Sequence, residues 1–275
     1  MTLQHNPYSG LEVLIATQNR TSLDFLSKMF PNSDFKEFKI LIVNQTILSK
    51  DLISNHKNIK VINSHEKGLS KSRNLALQNA STPIVLISDD DVVYEQGFHN
   101  VIRDAFYKNP KADLITFKAK DFKGQPYRNY ANTDYQYDLK SIKGVISWEI
   151  AFKVDNIKRL QISFDERFGL GSQFTTAEEY IFAREVVEKG HKSFFCNQFI
   201  VSHPEVNSGM DLGSDRIIYA RSALNYKLHK FLVYFWLPKF IFFLIRNNYI
   251  KLSEALGKIK MGLKGIKDYK NSVKS

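Results

Sequence analysis

The sequence predicts an α/β fold with a mostly parallel central sheet flanked by helices. Short apolar runs of strand length alternate with segments that have helical periodicity, and polar residues follow the apolar runs. Strands that alternate with helices are joined by right-handed crossovers, which make the strands parallel. Ligands bind beyond the carboxyl ends of such strands, so the polar residues after each run are candidates for a site.

The first third of the chain contains four predicted strands and two predicted helices. Apolar runs predict strands over 11–16, 38–43, 59–62 and 83–88. Apolar residues at helical spacing predict helices over 22–30 and 71–80, with Ser70 as the N-cap of the second. The polar ends of these strands, 17–20, 44–45 and 89–91, are therefore expected to meet at one edge of the sheet.

The remainder of the folded region is less regular. The pattern predicts a helix over 98–107, a strand over 113–117, a helix from about residue 178 and a strand over 199–202. Residues 122–137 contain four tyrosines without a clear period. This segment is either a loop that stacks on sugar rings or an ordinary half-buried loop.

Three consecutive carboxylates, Asp89, Asp90 and Asp91, follow the fourth predicted strand. If the strand geometry persists, Asp89 and Asp91 project together, which gives D-x-D spacing. Clustered carboxylates favour a cation, and Mg²⁺ or Mn²⁺ needs only one or two of them when water and substrate phosphates complete its ligands. The alternative is a solvated acidic turn. His203, at the end of the strand 199–202, is a further candidate metal or phosphate ligand, or else a structural histidine.

Glu178 and Glu179 form a second acidic site. Thr175 or Thr176 is predicted to cap the helix that begins there, and the helix dipole favours carboxylates in its first turn. That preference alone would explain the pair. A carboxylate mounted rigidly after a glycine-bounded loop also suits a general base.

Composition limits the class of protein. With 275 residues and 43% hydrophobic content, the chain can form one large core or two modest ones. A single cysteine, Cys196, excludes an intramolecular disulfide and fits a reducing compartment. The N-terminus has no basic region followed by an apolar stretch, so a cytoplasmic location is expected.

The C-terminal tail holds most of the net charge of +11, because 11 basic residues from Lys227 onward face only Glu254 and Asp268. No nucleic-acid-binding module is visible, so an anionic membrane surface is the expected partner and nucleic acid is not. The apolar stretch 231–245 is shorter than the ~20 residues that span a bilayer.

After this stretch, 252–266 has apolar residues at helical spacing. Its lysines are placed largely on other faces: Lys260, Lys264, Lys267 and Lys270. This predicts a helix lying in the membrane interface. Packing on the folded domain, or in a dimer seam, is the alternative, and a homo-oligomer stays open.

Four segments in order, 16–20, 68–74, 89–92 and 164–169, resemble the motifs of the family 2 glycosyltransferases, and the resemblance covers roughly residues 10–205. It implies a GT-A fold: a GT-A domain over 1–226, with a nucleotide-binding half at about 10–110 and an acceptor half at about 111–226, before a basic helical tail at 227–275. The implied activity is metal-dependent inverting transfer from a nucleotide-sugar, expected to be a UDP-sugar, to a saccharide acceptor. Among bacterial relatives the acceptor is commonly lipid-linked, for surface polysaccharide synthesis at the inner face of the cell membrane.

The resemblance also implies roles for individual residues. Asp89 and Asp91 correspond to the aspartates that bind ribose and the Mn²⁺ or Mg²⁺ ion, and His203 remains a candidate third ligand. Glu179 inherits the role of catalytic base, although the family has Glu-Asp where this chain has Glu178 and Glu179. The expected nucleotide-sugar-binding residues are Thr17, Gln18, Asn19, Arg20, Asn44, Gly68, Lys71, Arg73, Asn74, Asp89 and Asp90.

Two of these residues carry specific expectations. Asn44 stands where the family usually has an aspartate that reads the nucleotide base. Arg73 is expected to neutralise charge on the departing diphosphate.

Two other functions compete with this interpretation. Residues 89–93 also fit the D-x-D-x-V pattern of haloacid-dehalogenase-type phosphatases, with Asp89 as nucleophile, although those enzymes usually carry it on their first strand. A non-enzymatic basic protein that binds membrane surfaces is the other alternative.

Overall fold

The computed structural model describes residues 10–47, 50–204 and 212–273. The chain divides into two compact units. The first comprises Met1–Asp165 and Glu179–Glu205, and the second comprises Glu166–Glu178 and Val206–Ser275. Each unit has its own hydrophobic core.

Within the described residues, nine strands of the first unit form one sheet. The strands are β1 Leu11–Gln18, β2 Lys39–Gln45, β3 Ile59–Ser64, β4 Ile84–Asp89, β5 Val93–Tyr94, β6 Ala112–Lys120, β7 Tyr135–Gln136, β8 Ile150–Lys153 and β9 Lys192–Ser202. The helices around this sheet are α1 Phe25–Met29, α2 Leu69–Asn79, α3 Phe98–Lys108, α4 Val154–Arg159 and α5 Glu178–Glu188.

The sheet confirms the predicted mostly parallel α/β fold. Its strand order is β3-β2-β1-β4-β8-β6-β9-β5, with β7 paired to β9. Parallel ladders join β3, β2, β1 and β4, and a further one joins β6 to β9. Each parallel ladder pairs at least six residues, whereas each antiparallel ladder pairs at most three.

Helices cover both faces of the sheet, which explains why its strands are continuous apolar runs. On one face, Val13 and Ile15 of β1 belong to the core that contains α1 and α3. On the other face, Leu14 belongs to the core that contains α2, α4 and part of α5. Side chains along β1 therefore alternate between two buried cores.

One helix start, that of α2, differs from the prediction. The helix α2 begins at Leu69 with Gly68 at its N-cap, so Ser70 is a buried residue inside the helix and not the cap. Gly68 has φ 123, a backbone conformation that other residues rarely adopt. The helix α5 begins at Glu178, where it was predicted to begin, and Ala177 before it has φ 75.

In its described part, the second unit contains three long helices: α6 Asp215–His229, α7 Val233–Arg246 and α8 Ala255–Ser272. A 3-10 turn, Lys230–Leu232, separates α6 from α7. Their shared core includes Ile218 of α6, Leu237 of α7 and Ile266 of α8. The predicted domain boundary at residue 226 lies inside α6.

Two glycines of α8 allow it to approach its neighbours closely. A Cβ added at Gly265 would lie 2.2 Å from the carbonyl oxygen of Tyr219 in α6, and one at Gly262 would lie 2.6 Å from Cδ1 of Leu237 in α7. The Tyr219 hydroxyl also donates a hydrogen bond to Asp268 over 2.7 Å. The helix α8 is therefore an integral part of the second unit.

This packing divides the apolar stripe predicted for 252–266. Ile266 is buried, whereas Leu252, Leu256 and Leu263 are exposed. The exposed face of α8 also carries Lys260, Lys264 and Lys267. The expectation that these lysines lie on other faces than the leucines is wrong, because the positions that face α6 and α7 are taken by Gly262, Gly265 and Ile266.

We predict that Gly265→Ala destabilises the second unit. The added methyl group would collide with the backbone of α6, and overpacking of this kind costs about 1–3 kcal/mol. Denaturant unfolding should detect the loss. Gly257→Ala, in the same helix but with nothing within 4 Å of the new Cβ, is the matched control. It should leave stability unchanged or raise it by up to about 1 kcal/mol. Equal stability of the two variants would contradict the proposed packing.

Candidate active site

The polar ends of the parallel strands lie side by side. In the β1–β2 ladder Thr17 pairs with Asn44 and Gln18 with Gln45, and in the β1–β4 ladder Ala16 pairs with Asp89. The loop after β1, the end of β2 and the carboxylates after β4 therefore share one edge of the sheet. This is the arrangement expected from the sequence.

Asp89 and Asp90 are each bound by a different arginine. Asp89 is the last residue of β4, and its Oδ1 accepts a hydrogen bond from Nη2 of Arg73 over 2.9 Å. Asp90 lies in the following turn and accepts hydrogen bonds from Nε and Nη2 of Arg20, at 2.8 and 2.6 Å, and from the Thr17 hydroxyl. The Arg73 side chain is buried, whereas Arg20 is partly exposed. The two neighbouring carboxylates thus point toward different cations.

Asp91 forms an ion pair with His203, whose Nε2 lies 3.4 Å from Oδ1 of Asp91. The interaction with His203 holds the pKa of Asp91 below its usual value, although partial burial opposes this. Burial alone would lower the pKa of His203, but Asp91 and the Pro204 carbonyl raise it more, so the net shift is upward. Trp148 stacks on the imidazole with ring centroids 4.0 Å apart. The ring of His203 is therefore held with Nε2 toward Asp91.

The donor atoms of Asp91 and His203 fit a small divalent cation. Two neighbouring ligands of an octahedral Mg²⁺ ion lie about 3 Å apart, close to the 3.4 Å between these atoms. His203 Nδ1 donates to the Pro204 carbonyl, which leaves Nε2 as the coordinating nitrogen once it is deprotonated. Asp89 is engaged by Arg73. Among the described residues no group of three or more histidine, cysteine or acidic side chains is close enough to hold a metal by itself.

Asn44 is fully buried and connects β2 to the loop after β1. Its Oδ1 accepts a hydrogen bond from the Arg20 backbone nitrogen, and its Nδ2 donates to the Arg20 carbonyl, both over 3.0 Å. Nδ2 also donates to Oδ1 of Asn63 in β3. In this arrangement Asn44 fixes the position of the loop, and contact with a nucleotide base stays a prediction.

Two further amides hold the start of α2 in place. Nε2 of Gln45 donates to the carbonyl oxygens of Glu66 and Gly68, at 2.8 and 2.9 Å. The Asn74 side chain bonds the backbone of Phe164 in both directions, through Nδ2 to the carbonyl and through Oδ1 from the amide. Asn74 therefore links two of the sequence motifs. Gln45 is not among the predicted site residues, although its position at the end of β2 matches theirs.

The remaining predicted nucleotide-binding residues are more accessible. Gln18 and Asn19 are exposed, and Asn19 has φ 52, a left-handed conformation that asparagine tolerates. The Asn19 Oδ1 accepts a hydrogen bond from the Ile47 backbone nitrogen. Lys71, in the first turn of α2, forms an ion pair with Glu66 over 2.8 Å.

Two cavities open beside these residues. The larger, of about 620 Å³, is lined by residues that include Arg20, Lys28, Asp90, Asp91 and Phe122. The smaller, of about 210 Å³, is lined by Gln18, Asn19, Gln45, Thr46, Ile47, His65, Glu66 and Lys67. Asn19 lines both cavities. The larger volume lies within the range of small-molecule sites, whereas the smaller one can accept only part of such a molecule.

Glu178 and Glu179 are the first two residues of α5. Glu178 is buried and Glu179 is half-buried. Both lie in the first turn, where the helix dipole stabilises a negative charge. Glu179 is the more accessible of the two for contact with a substrate.

The sequence profile described as "Glycosyl transferase family 2" matches residues 13–170, which is more than half of the chain. The chain belongs to glycosyl transferase family 2. It is therefore a glycosyltransferase, and the segment matched includes β1, α2, the three aspartates and Phe164. No curated protein sequence matches this chain at a significant level.

Solved structures of S. aureus TarS share the fold of this glycosyltransferase. The crystal structure of TarS residues 1–349 superposes with a TM-score of 0.54 at 17% identity, covering 92% of this chain and 80% of that one. Its complex with UDP gives 0.53 at 19% identity, covering 91% and 80%. Its complex with UDP-GlcNAc gives 0.53 at 17% identity, covering 94% and 80%. The GT-A fold expected from the sequence is thus confirmed.

A 3-10 helix, Ser147–Glu149, supplies three residues beside the site that were not predicted from the sequence. The Ser147 hydroxyl donates to Oδ2 of Asp89 over 3.1 Å, and Trp148 stacks on His203. Glu149 is fully buried. One serine, one tryptophan and one glutamate in an irregular segment carry no periodic signal, so only the fold reveals that they support the carboxylates.

Glu149 anchors the tyrosine-rich segment 122–137. Its two oxygens accept hydrogen bonds from the Arg128 guanidinium and from the Tyr130 hydroxyl. Burial raises the pKa of Glu149 to about 7, although Arg128 and Tyr130 favour the charged form. The same segment brings Tyr127 edge-on against Trp148 and His203. A buried carboxyl group therefore fixes the aromatic residues that surround His203.

We predict that Glu149 makes stability depend on pH. Its folded pKa of about 7 lies above the ordinary 4.5, so its contribution is present below 4.5 and is lost as the pH rises through 7. The free energy of unfolding of the wild type, relative to Glu149→Gln, should fall by about 2 kcal/mol between about pH 5 and about pH 8.

Asp138→Asn is the control for this measurement. Hydrogen bonds from Ser141 hold the pKa of Asp138 below its ordinary value, so it is ionised throughout this range and should give no slope. A difference between wild type and Glu149→Gln that does not change with pH would show that Glu149 is charged in the fold.

Proposed function

We propose that this chain is an inverting glycosyltransferase that uses Mn²⁺ or Mg²⁺ and a nucleotide-sugar donor. The observation that carries the proposal is the Asp91–His203 pair, which offers one oxygen and one nitrogen donor, with Asp91 lining the larger cavity. A divalent ion held there would neutralise charge on the departing diphosphate. Asp89 and Asp90, beside this pair, are proposed to contact the nucleotide-sugar.

We propose a UDP-sugar as the donor. The two cavities that meet at Asn19 give room for a base in the smaller one and a diphosphate with its sugar in the larger one. Amide groups of Gln18 and Asn19, which are exposed, can pair with the polar edge of a pyrimidine. The TarS structures were solved with UDP and with UDP-GlcNAc, which supports the proposal by analogy of fold.

Two groups of residues have different tasks in the proposed reaction: the arginines hold the carboxylates in place, and Glu179 moves a proton. Arg20 and Arg73 fix Asp90 and Asp89, so that these carboxylates keep one orientation while substrate binds. Glu179 accepts the proton of an acceptor hydroxyl as that oxygen forms a bond to the anomeric carbon. The bond from this carbon to the diphosphate oxygen breaks in the same displacement, which inverts the configuration.

We propose that the acceptor is a saccharide, lipid-linked, and that the enzyme acts in surface polysaccharide synthesis. It would work in the cytoplasm, peripherally at the inner face of the cell membrane. The basic C-terminal tail supports this location, because anionic lipid headgroups attract clustered lysines.

Thermal stabilisation by candidate donors tests the nucleotide. UDP, GDP, CMP and their sugars are each added with and without Mn²⁺, since a ligand that binds only the folded state raises the unfolding temperature. Stabilisation by UDP compounds that depends on Mn²⁺ is expected. Stabilisation by GDP or CMP compounds alone would show that the donor carries that nucleotide and not UDP. Hydrolysis of simple phosphate monoesters would favour a phosphatase.

We predict that Asp91→Ala removes metal-dependent nucleotide binding and leaves the fold intact. The variant loses one of the two protein donor atoms of the proposed site, and few others remain. Calorimetry with UDP and Mn²⁺ measures the loss, and circular dichroism checks the fold. Asp104→Ala, at an exposed position of α3, is the matched control. Wild-type UDP affinity in Asp91→Ala would disprove the metal assignment.

We predict that Glu179→Gln binds the donor and fails to transfer the sugar. The amide keeps the shape of the side chain but cannot accept a proton at neutral pH, so the rate should fall on the order of 10²-fold or more. Donor binding and transfer are measured on the same preparation. If Glu178→Gln is inactive while Glu179→Gln is active, the two glutamates exchange roles.

A further inference from the structure

The 3-10 turn Lys230–Leu232 and one face of α7 expose large aromatic residues. Phe231, Phe235 and Phe242 follow each other at helical spacing and are 67%, 68% and 65% exposed. The opposite side of the helix is buried in the core of the second unit, through Val233, Leu237, Phe240, Ile241 and Leu244. Soluble surfaces carry single exposed apolar residues, whereas a continuous stripe marks an interaction site.

Exposed cations lie on α7 itself and on the neighbouring helix α8. Lys239 and Arg246 lie on the same exposed face of α7, between and beyond the phenylalanines. The exposed face of α8 adds Lys260, Lys264 and Lys267. An apolar surface with basic side chains beside it complements an anionic lipid surface, which offers phosphate headgroups above acyl chains.

The acidic groups of these helices are outnumbered, because 11 basic residues from Lys227 onward face only Glu254 and Asp268. Asp215 pairs with Lys258 over 2.9 Å, and Asp268 accepts a hydrogen bond from Tyr219. Glu254 accepts a hydrogen bond from the Lys251 backbone nitrogen. The carboxylates are therefore engaged within the unit, while the lysines of α8 that face outward project into solvent.

We propose that the exposed face of α7 lies in the plane of an anionic membrane, with Phe231, Phe235 and Phe242 in the acyl boundary. The lysines of α8 lie near the lipid headgroups. Lys239 and Arg246 extend their charged ends to the headgroups while their aliphatic parts follow the apolar surface. This places the inserted element at α7, where the sequence alone had pointed to the segment 252–266.

The same helix does not span the bilayer. Among the described residues, one helical stretch, Asp215–Arg246, is long and apolar enough to cross a membrane by length and composition. Lys230, with φ 51, interrupts it and separates α6 from α7. The 14 residues of α7 are about 21 Å long, short of a hydrocarbon core of about 30 Å. The buried side of α7 is also occupied by α6 and α8.

A second copy of the chain is a poorer occupant of this face. A symmetric dimer would bring identical lysine-rich surfaces together, and like charges would repel across the contact. This inference rests on the proposed function for its purpose, because a lipid-linked acceptor would be presented at the same surface. Its test measures vesicle binding and does not depend on transfer.

The test is co-flotation of the full chain with vesicles of phosphatidylglycerol and phosphatidylcholine in equal amounts, compared with phosphatidylcholine alone. Binding to the anionic vesicles is expected. Phe235→Ser with Phe242→Ser should weaken it on the order of a hundredfold, because two large aromatic side chains no longer leave water. Lys260→Gln, Lys264→Gln and Lys267→Gln together should have an effect of similar size at low salt and little effect at high salt.

Ile53→Ser, which removes an apolar side chain that is 74% exposed in the first unit, is the matched control and should bind as the wild type does. Circular dichroism verifies that each variant is folded. UDP binding is measured on the same variants, so that a failure of the proposed donor binding is distinguished from a failure of vesicle binding. Wild-type binding by the double phenylalanine variant overturns the proposal. Absence of vesicle binding, together with concentration-dependent dimerisation, also overturns it. Retention of the wild type on membranes washed with alkaline carbonate would indicate a spanning helix and overturns it as well.

Discussion

Mutual repulsion of three adjacent carboxylates is the constraint on which the site depends. Asp89, Asp90 and Asp91 follow a strand whose other residues are buried, so water screens their charges only in part. Each carboxylate pairs with a basic residue from a different element. Asp89 pairs with Arg73 of α2, Asp90 with Arg20 of the loop after β1, and Asp91 with His203 at the end of β9. Because Arg20 and Arg73 engage Asp90 and Asp89, the Asp91–His203 pair is the one that we propose for a divalent ion.

Neutral hydrogen bonds hold these cations in place. Buried amides of Asn44, Gln45 and Asn74 fix the loop after β1, the start of α2 and the segment at Phe164. Because both the donor and the acceptor of Asn44 and of Asn74 are used, each amide defines one geometry and no other. The buried Glu149 does the same for the aromatic residues around His203. Rigidity at the sheet edge thus comes from side chains that do not line the larger cavity.

The sequence allowed β1, β2, β3, β4, β6 and the last part of β9 to be predicted, together with α1, α2, α3, α5 and α8. The strands β1, β2 and β4 are buried on both faces and are therefore continuous apolar runs. The short strands β5, β7 and β8 were not predicted, because two to four residues carry too little pattern. The same runs located Asp89–Asp91 and Asn44. The sequence did not reveal that Arg73 would turn toward Asp89, or that Ser147 and Trp148 would contact Asp89 and His203. It also did not reveal that Glu149 would bind Arg128 and Tyr130. These side-chain contacts join separate elements, and no periodic pattern in the sequence records them. The start of α2 was predicted wrongly at Ser70, because the backbone conformation of Gly68 sets this boundary.

The Asn44 side chain acts as an additional peptide group at the end of the sheet. Its carbonyl and amino groups meet the N–H and C=O of Arg20 as the backbone of a neighbouring strand would. The ladder between β1 and β2 is in effect one rung longer than the two backbones alone provide. An aspartate at this position has no donor and would place a negative charge against the Arg20 carbonyl. The conformation of the loop after β1 therefore depends on an amide at position 44. A chain with aspartate at this position would need a different loop conformation.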